Sequence, residues 1–207
     1  MSKVFFSLGM SLDGFIAGPN RGPTNPLGDH GTAIHKWVYS QRAFRQSLKL
    51  GDGGETGQDN RILEATLQRI GVNIMGKRMF EEGERNWPEE APFHTPVFVL
   101  THEARKPWER KGGTTFYFVN DGIHSALGQA REVAGDRDVR IAGGSETILE
   151  HLHAGLVDEF SIALSPVLFG AGTRLFDGVD ASRVALEPVR SEPSSRVTHL
   201  TYAVHPR

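Results

Sequence analysis

The sequence predicts an α/β protein with three layers: a central, mostly parallel mixed sheet of about eight strands, flanking helices, and a C-terminal antiparallel hairpin. Strand-like apolar runs alternate with helical patterns from residue 4 to residue 164. Residues 184–191 and 196–205 then alternate with period two around a turn at 192–195, which is typical of a hairpin. The 24 glycines and 11 prolines fit a fold with many turns.

The elements are predicted from short-range patterns. A buried first strand is expected at residues 4–8, followed by a short apolar piece at 15–17. Further strands are expected at residues 72–75, 96–100, 115–119, 139–141 and 157–164. Helical spacing predicts helices over residues 33–50, 59–70, 77–85, 123–133 and 145–152. Residues 18–32 contain several glycines and prolines without periodicity, which indicates a loop long enough to be functional or mobile.

Composition limits the possible functions. No repeat or linker divides the 207 residues, so a single domain over 1–207 is expected. A net charge of -2 without a basic block argues against nucleic-acid binding, and no apolar run is long enough to span a membrane. The N-terminus becomes polar too early for a signal peptide, and the absence of cysteine excludes disulfides and thiolate chemistry. A cytoplasmic protein is expected.

Two strand–glycine–helix junctions carry the functional signal. The first runs through Gly143-Gly144-Ser145-Glu146-Thr147, and the second through Gly76-Lys77-Arg78. Glycine lets a ligand approach the backbone, and the free N–H groups of a first helical turn favour an anion. Each junction alone is also compatible with an ordinary tight turn, but the pair suggests a ligand with phosphates at two points.

The predicted strands also end at a common place. In open α/β sheets, ligands bind beyond the carboxyl ends of the strands. Gly9, Gly76, Thr101 and Gly143 mark four such ends.

Four motifs occur in an order that resembles a known family. They are residues 11–17 (SLDGFIA), 75–80 (MGKRMF), 138–146 (DVRIAGGSE) and 164–170 (LSPVLFG). Together they resemble the dihydrofolate-reductase-like superfamily, in the branch related to the reductase domain of riboflavin biosynthesis, as a stand-alone RibD C-terminal-like member. The resemblance covers nearly the whole chain and implies a dihydrofolate-reductase-like fold.

The resemblance implies an NADPH site. Backbone groups of Gly9, Ile16 and Ala17 would face the nicotinamide, and the second junction would hold a phosphate. Thr101 and His102 would lie near the adenosine ribose, and the glycine pair would pass the nicotinamide and bind pyrophosphate. A cis peptide between Gly143 and Gly144 is expected, because the family commonly has one. The cofactor residues implied are Gly9, Ile16, Ala17, Gly76, Lys77, Arg78, Thr101, His102, Gly143, Gly144, Ser145, Glu146 and Thr147.

The charges near the adenosine end favour NADPH over NADH. Lys77, Arg78, His102 and Arg105 follow the strand ends there, and an additional phosphate needs cationic partners.

The substrate side departs from the relatives. Dihydrofolate reductases place a carboxylate on the first helix, where this chain has none, and Phe15 replaces the polar residue that usually follows Asp-Gly in riboflavin-pathway enzymes. Asp13 is therefore the candidate catalytic acid or substrate anchor, although an Asp-Gly pair also caps turns. Trp37, Tyr39 and Phe169 are candidate walls for a flat ring.

The leading hypothesis is an NADPH-dependent oxidoreductase that reduces a small heterocycle, either pteridine- or dihydrofolate-like or ribosylaminopyrimidine-like. The alternative is a nicotinamide-nucleotide-binding module without turnover. Metal binding by His30 and His35, or by His151 and His153, lacks a third ligand in the sequence, and zinc-dependent deamination lacks its cysteines. The terminal hairpin and residues 166–172 resemble dimerisation surfaces of related proteins, so a homodimer is expected.

Overall fold

The predicted alternation of strands and helices is present in the computed structural model, which describes residues 2–207. The strands are β1 Val4–Ser11, β2 Phe15–Ala17, β3 Ile70–Gly76, β4 Val97–Leu100, β5 Trp108–Glu109, β6 Thr115–Val119, β7 Asp138–Gly143, β8 Glu159–Ser165, β9 Thr173–Arg174, β10 Val184–Pro193 and β11 Thr198–Pro206. The helices are α1 Lys36–Tyr39, α2 Arg42–Ser47, α3 Gln58–Arg69, α4 Lys77–Glu84, α5 Ile123–Ala134 and α6 Ser145–His153, with a 3-10 turn at Gly31–His35.

Nine of the strands form one mixed sheet in the order β10-β11-β8-β1-β7-β3-β4-β6-β5. The six strands from β8 to β6 are parallel, whereas β11 and β10 at one edge and β5 at the other are antiparallel. β2 and β9 form a separate antiparallel pair. The predicted fold class and the C-terminal hairpin are confirmed. No helix within residues 2–207 is both long and apolar enough to cross a membrane.

The two faces of the sheet bury different residues. On one face, Val72, Ile74, Val139 and Ile141 are fully buried against α5 and α6. Because side chains alternate along a strand, Met75 and Ala142 lie on the opposite face, where they pack with Phe80 of α4. The sheet is therefore covered on both sides, as expected for parallel strands.

An aromatic cluster fixes α4 on this second face. The Phe80 ring packs against the rings of Phe116, Phe118 and Trp87, at centroid distances of 5.2, 5.1 and 5.9 Å. Such edge-to-face contacts add about 1 kcal/mol each to the effect of burial. They hold the first turn of α4, with Lys77 and Arg78, at the end of β3.

The single helix predicted over residues 33–50 is divided. Gln41 is fully buried in an extended conformation between α1 and α2. Its neighbours pair with a distant loop: the Arg42 N–H donates to the Glu55 carbonyl (3.0 Å), and the Glu55 N–H donates to the Ser40 carbonyl (2.8 Å). This strand-like contact supplies the hydrogen bonds that a continuous helix would have made.

The loop of residues 18–32 is attached to the fold through a salt bridge. Two guanidinium nitrogens of Arg21 donate to one Glu82 carboxylate oxygen, at 3.0 and 2.6 Å, and the Glu82 side chain is 7% exposed. The Asn86 side chain also donates to the Pro23 carbonyl (3.2 Å). These contacts place the loop beside the C-terminal end of α4.

We expect Arg21→Met to destabilise the protein by about 3 kcal/mol, because it leaves the Glu82 carboxylate buried without its partner. Arg21→Met/Glu82→Met should lose much less, since no buried charge is then uncompensated. Urea unfolding of the three proteins measures both values. Equal losses in the single and double variants would contradict this account.

Candidate functional site

The predicted strand ends converge. β1, β7, β3 and β4 are consecutive parallel strands, so Gly9, Gly143, Gly76 and Thr101 lie along one edge of the sheet. The ladder between β3 and β7 is irregular there: Ile74 pairs with Ile141 and Met75 with Gly143, so that Ala142 is skipped. Such bulges redirect the chain at the end of a strand.

Two helix N-termini meet at this edge. α4 follows Gly76 and α6 follows Gly144, and within residues 2–207 no side chain caps either helix. A Cβ atom on Gly76 would collide with the Thr147 hydroxyl, so this glycine permits the two first turns to approach each other. The uncapped N–H groups and the positive ends of the helix dipoles favour a bound anion.

The helix mouths open into a first cavity of about 630 Å³. A second cavity, of about 300 Å³, continues from it and shares Arg21, Met79 and Gly144 as lining residues. All thirteen predicted cofactor residues line these two cavities. Gly76, Lys77, Arg78, Thr101, His102, Ser145, Glu146 and Thr147 line the first, Gly9, Ile16, Ala17 and Gly143 line the second, and Gly144 lines both.

The predicted cis peptide between Gly143 and Gly144 is wrong, because no peptide bond within residues 2–207 is cis. Gly143 and Gly144 instead have φ values of 153° and 85°, which side-chain-bearing residues rarely adopt, and these angles turn the chain from β7 into α6. A Cβ on Gly143 would also lie 2.9 Å from the Met79 sulfur. The glycine pair thus makes the turn through its dihedral angles.

The cations of the first cavity differ in their pairing. The Lys77 ammonium lies 2.5 Å from a Glu103 oxygen, a hydrogen bond that raises the pKa of Lys77. Arg78 is exposed on the cavity wall and forms no ion pair with any residue of the described chain. Arg105, also predicted to favour NADPH, lies elsewhere: its guanidinium pairs with Glu84 at 2.8 Å and stacks on Phe118.

Asp13 is engaged in a structural contact. Its carboxylate accepts hydrogen bonds from the Ser11 hydroxyl (2.6 Å) and from the backbone N–H groups of Phe169 (3.1 Å) and Gly170 (2.8 Å). These bonds, above all that from Ser11, lower the pKa of Asp13 to about 2. The carboxylate ties the end of β1 to the loop after β8. Neither Asp13 nor Phe169 lines the first cavity, the second cavity or a third cavity between the sheet and α1–α3. This geometry argues against the predicted catalytic role.

A third cavity, of about 440 Å³, lies between the sheet and α1–α3. It shares Gly9, His35 and Met79 with the second cavity, so the two are continuous. Trp37 lines it, as predicted for a ring wall, and packs edge-on against His199 at 5.0 Å.

His35 was missed by the sequence analysis as a cavity residue. It lies where the second and third cavities meet, and burial lowers its pKa to about 4. The imidazole is therefore neutral at pH 7 and can both donate and accept a hydrogen bond. No pattern around residue 35 distinguishes it from an ordinary helix residue.

His151 and His153, the second pair considered for metal binding, have separate contacts. His151 is buried, with Nδ1 2.7 Å from the Thr147 carbonyl, and His153 Nε2 accepts the Asp180 N–H at 2.9 Å.

Comparison with known proteins decides the family. The model of the RibD C-terminal domain family matches residues 2–200. The chain belongs to the RibD C-terminal domain family. It is 34% identical over 143 residues to the uncharacterized protein YyaP of Bacillus subtilis (strain 168), which covers 66% of this chain and 75% of YyaP.

Solved structures show the same fold for this RibD C-terminal domain protein. A protein ascribed to riboflavin biosynthesis from Shewanella sp. PV-4 aligns with a TM-score of 0.65 and 21% identity over 98% of this chain and 99% of that one. The Thermotoga maritima diaminohydroxyphosphoribosylaminopyrimidine deaminase/5-amino-6-(5-phosphoribosylamino)uracil reductase aligns with a TM-score of 0.62 and 16% identity, over 98% of this chain and 56% of that one. Enterococcus faecalis dihydrofolate reductase, solved with NADP(H), aligns with a TM-score of 0.54 and 16% identity, over 99% of this chain and 96% of that one. The predicted dihydrofolate-reductase-like fold is confirmed.

We expect His35 to make stability depend on pH. Because its pKa is about 4 in the folded protein and 6.5 in the unfolded chain, the unfolded chain binds more protons between these values. His35 therefore contributes stability above pH 6.5 that is lost as the pH falls towards 4, with a slope of at most about 1.4 kcal/mol per pH unit. Denaturant unfolding of wild type and His35→Gln between pH 7.5 and 4.5 should show a shallower loss in the variant. Parallel curves would contradict the assignment.

Proposed function

We propose that this protein is an NADPH-dependent reductase that transfers a hydride to a small heterocyclic substrate. One observation carries the proposal: two uncapped helix N-termini and a glycine pair open into a groove that continues into a separate, ring-sized cavity. A reductase needs this arrangement, because the cofactor and the substrate must meet end to end. Membership of a family whose structural neighbours include reductases supports it.

The residues present fit a dinucleotide. The first turn of α6, with Ser145 and Thr147, offers N–H groups and hydroxyls for the pyrophosphate. Lys77 and Arg78 offer positive charge, and His102 offers a hydrogen-bonding ring, at the adenosine end of the first cavity. The bound cofactor would supply the hydride from its nicotinamide ring.

The nicotinamide is proposed to lie in the second cavity, between Gly9, Ile16 and Ala17 on one side and Gly143 on the other. Gly9 and Gly143 have no side chain, which leaves room for a flat ring between the walls of this cavity. A Cβ on Gly9 would stand 2.8 Å from the Ile34 carbonyl, and one on Gly143 would contact Met79. Gly9 also lines the third cavity, so the ring would face the substrate.

The substrate is proposed to occupy the third cavity, with Trp37 against its ring. Because the Asp13 carboxylate is held by three hydrogen bonds away from the cavities, we do not assign protonation to it. His35 is the residue in place to hydrogen-bond a substrate nitrogen or oxygen beside the reacting carbon. Water would then deliver the proton that completes reduction. Pteridine-like and ribosylaminopyrimidine-like rings are the substrate classes we propose.

A nucleotide-binding module without turnover is the second candidate. Within residues 2–207, each carboxylate lining the second or third cavity is already paired: Glu82 with Arg21, Glu159 with Arg69, and Glu192 with Arg190. A site without a free acid is less suited to protonating a substrate. A decrease in NADPH absorbance that requires both the protein and a heterocycle of a test panel would decide against this module.

The predicted homodimer and cytoplasmic location stay predictions.

We expect NADPH to bind more tightly than NADH, and Arg78→Ala to weaken NADPH binding about tenfold, equivalent to about 1.4 kcal/mol. The reason is that Arg78 is free to pair with the 2′-phosphate, whereas Lys77 already pairs with Glu103. NADH affinity should change little. Fluorescence titration measures all four dissociation constants.

Arg105→Ala is the matched control, because Arg105 is a nearby arginine that pairs with Glu84 outside the cavity. It should keep the wild-type preference for NADPH. If neither nucleotide binds the wild-type protein, the reductase proposal is wrong.

A further inference from the structure

The floor of the third cavity is polar. It is formed by alternate residues of four adjacent strands: Ser7 of β1, Arg140 of β7, Ser161 of β8 and Thr201 of β11. The residues between them face the opposite side of the sheet, where Phe6, Ile141 and Ile162 are buried in the larger apolar core. The polar residues therefore share one face of the sheet under α1–α3, and this face is the one that a substrate would touch.

The charges around this cavity do not balance. Three arginines and two glutamates line it. Arg69 pairs with Glu159 and with Asp138, each at 2.5 Å, and Lys3 also pairs with Glu159, so these four charges cancel. Arg190 pairs with Glu192 at 3.3 Å. Arg140 is the arginine left over.

The Glu159 carboxylate does not pair with Arg140. Both residues lie in register with Phe5, on the two strands that flank β1, so their Cα atoms are about 10 Å apart across the sheet. Both Glu159 oxygens are already engaged, one with Arg69 and the other with Lys3, each at 2.5 Å.

Arg140 has few other contacts in the described chain. One terminal nitrogen donates to the Ser7 carbonyl at 3.3 Å, and Nε is buried without a hydrogen-bond partner. Asn73, its register neighbour on β3, has a buried Oδ1 that is also unpaired, but a neutral amide does not compensate a charge. Arg140 is half-buried in the wall of the third cavity, and this burial lowers its pKa to about 10, which still leaves it charged at pH 7.

A desolvated cation without a counter-charge is unfavourable for folding, and it becomes favourable when an anion binds. We propose that Arg140 binds a carboxylate on the substrate, so that the substrate is a heterocyclic acid. This inference rests on the proposed function, because it places the substrate in the third cavity. A carboxylate matches the single uncompensated charge, whereas a phosphate monoester carries about -1.5 to -2 and would leave negative charge unpaired. Arginine also binds carboxylates through two parallel hydrogen bonds.

The position of Arg140 limits the shape of the substrate. Arg140 lies three residues before Gly143 on β7, a distance of roughly 10 Å along a strand. The carboxylate would therefore stand about one to two ring widths from the carbon that accepts the hydride. A cavity of about 440 Å³ accommodates a bicyclic ring with this substituent.

The test compares heterocyclic acids with neutral partners of similar shape: pterin-6-carboxylate with 6-hydroxymethylpterin, and orotate with uracil. Calorimetry would measure binding to the NADPH-loaded and the free protein. We expect at least one acid to bind wild type tenfold or more tightly than its neutral partner, and Arg140→Met to remove the difference. Arg140→Lys should recover part of it, because it keeps the charge without the paired hydrogen bonds. Inorganic phosphate, as a third probe, should compete only weakly with the heterocyclic acid for binding.

Arg190→Met is the matched control, since it removes an arginine of the same cavity that is already paired. It should retain the preference for the acid. The melting temperature of Arg140→Met without ligand should equal or exceed that of wild type, because an uncompensated charge is removed. A large fall would show that Arg140 is structural and would overturn the proposal.

The outcomes separate this inference from the proposed function. Arg140→Met should bind NADPH as wild type does. If NADPH binds but no acid is preferred, or the preference survives Arg140→Met, the carboxylate anchor is wrong and the cofactor site stands. If NADPH does not bind while acid binding depends on Arg140, the anchor stands and the reductase proposal is wrong.

Discussion

Parallel pairing of β1, β7, β3 and β4 is the constraint on which the rest of the site depends. Because the strands run in one direction, their carboxyl ends, and the helix N-termini that follow β7 and β3, must open on the same edge of the sheet. The skipped Ala142 and the two positive-φ glycines then turn the chain so that α6 starts beside Gly76. The groove results from strand direction and needs few specialised side chains.

The distribution of charge gives this groove its polarity. The loop over residues 18–32 is held by Arg21 and Glu82, and the edge of the third cavity by Arg69 and Glu159. The two charges in each pair compensate each other, so these pairs hold the walls in place without attracting a charged ligand. Arg78 in the first cavity and Arg140 in the third cavity form no ion pair within residues 2–207, so each can pair with an anionic ligand. The two cations would therefore select for a dinucleotide with an additional phosphate and for an acidic substrate.

Sequence patterns predicted the parts of the site that depend on local structure. A glycine at the end of an apolar run and the start of a helical pattern are visible within ten residues, and the cofactor residues predicted from such junctions and from the family resemblance lie together in the structure. Asp13 was misleading because two of its three partners, Phe169 and Gly170, are more than 150 residues away. An Asp-Gly turn looks the same with or without them.

Other features depend on tertiary contacts that no local pattern encodes. The break at Gln41 requires the loop around Glu55, and the low pKa of His35 requires burial between two cavities. Arg140 did leave a trace, since a charged residue stands between the buried Val139 and Ile141. Its meaning depends on whether a partner faces it, which only the assembled sheet shows.

The most direct test of this account is a crystal structure of the complex with NADP⁺. We predict that the pyrophosphate lies at the first turn of α6 and that the nicotinamide lies between Gly9 and Gly143, facing the third cavity. A pyrophosphate bound elsewhere, or a nicotinamide closed off from that cavity, would contradict the claim that cofactor and substrate meet at this edge of the sheet.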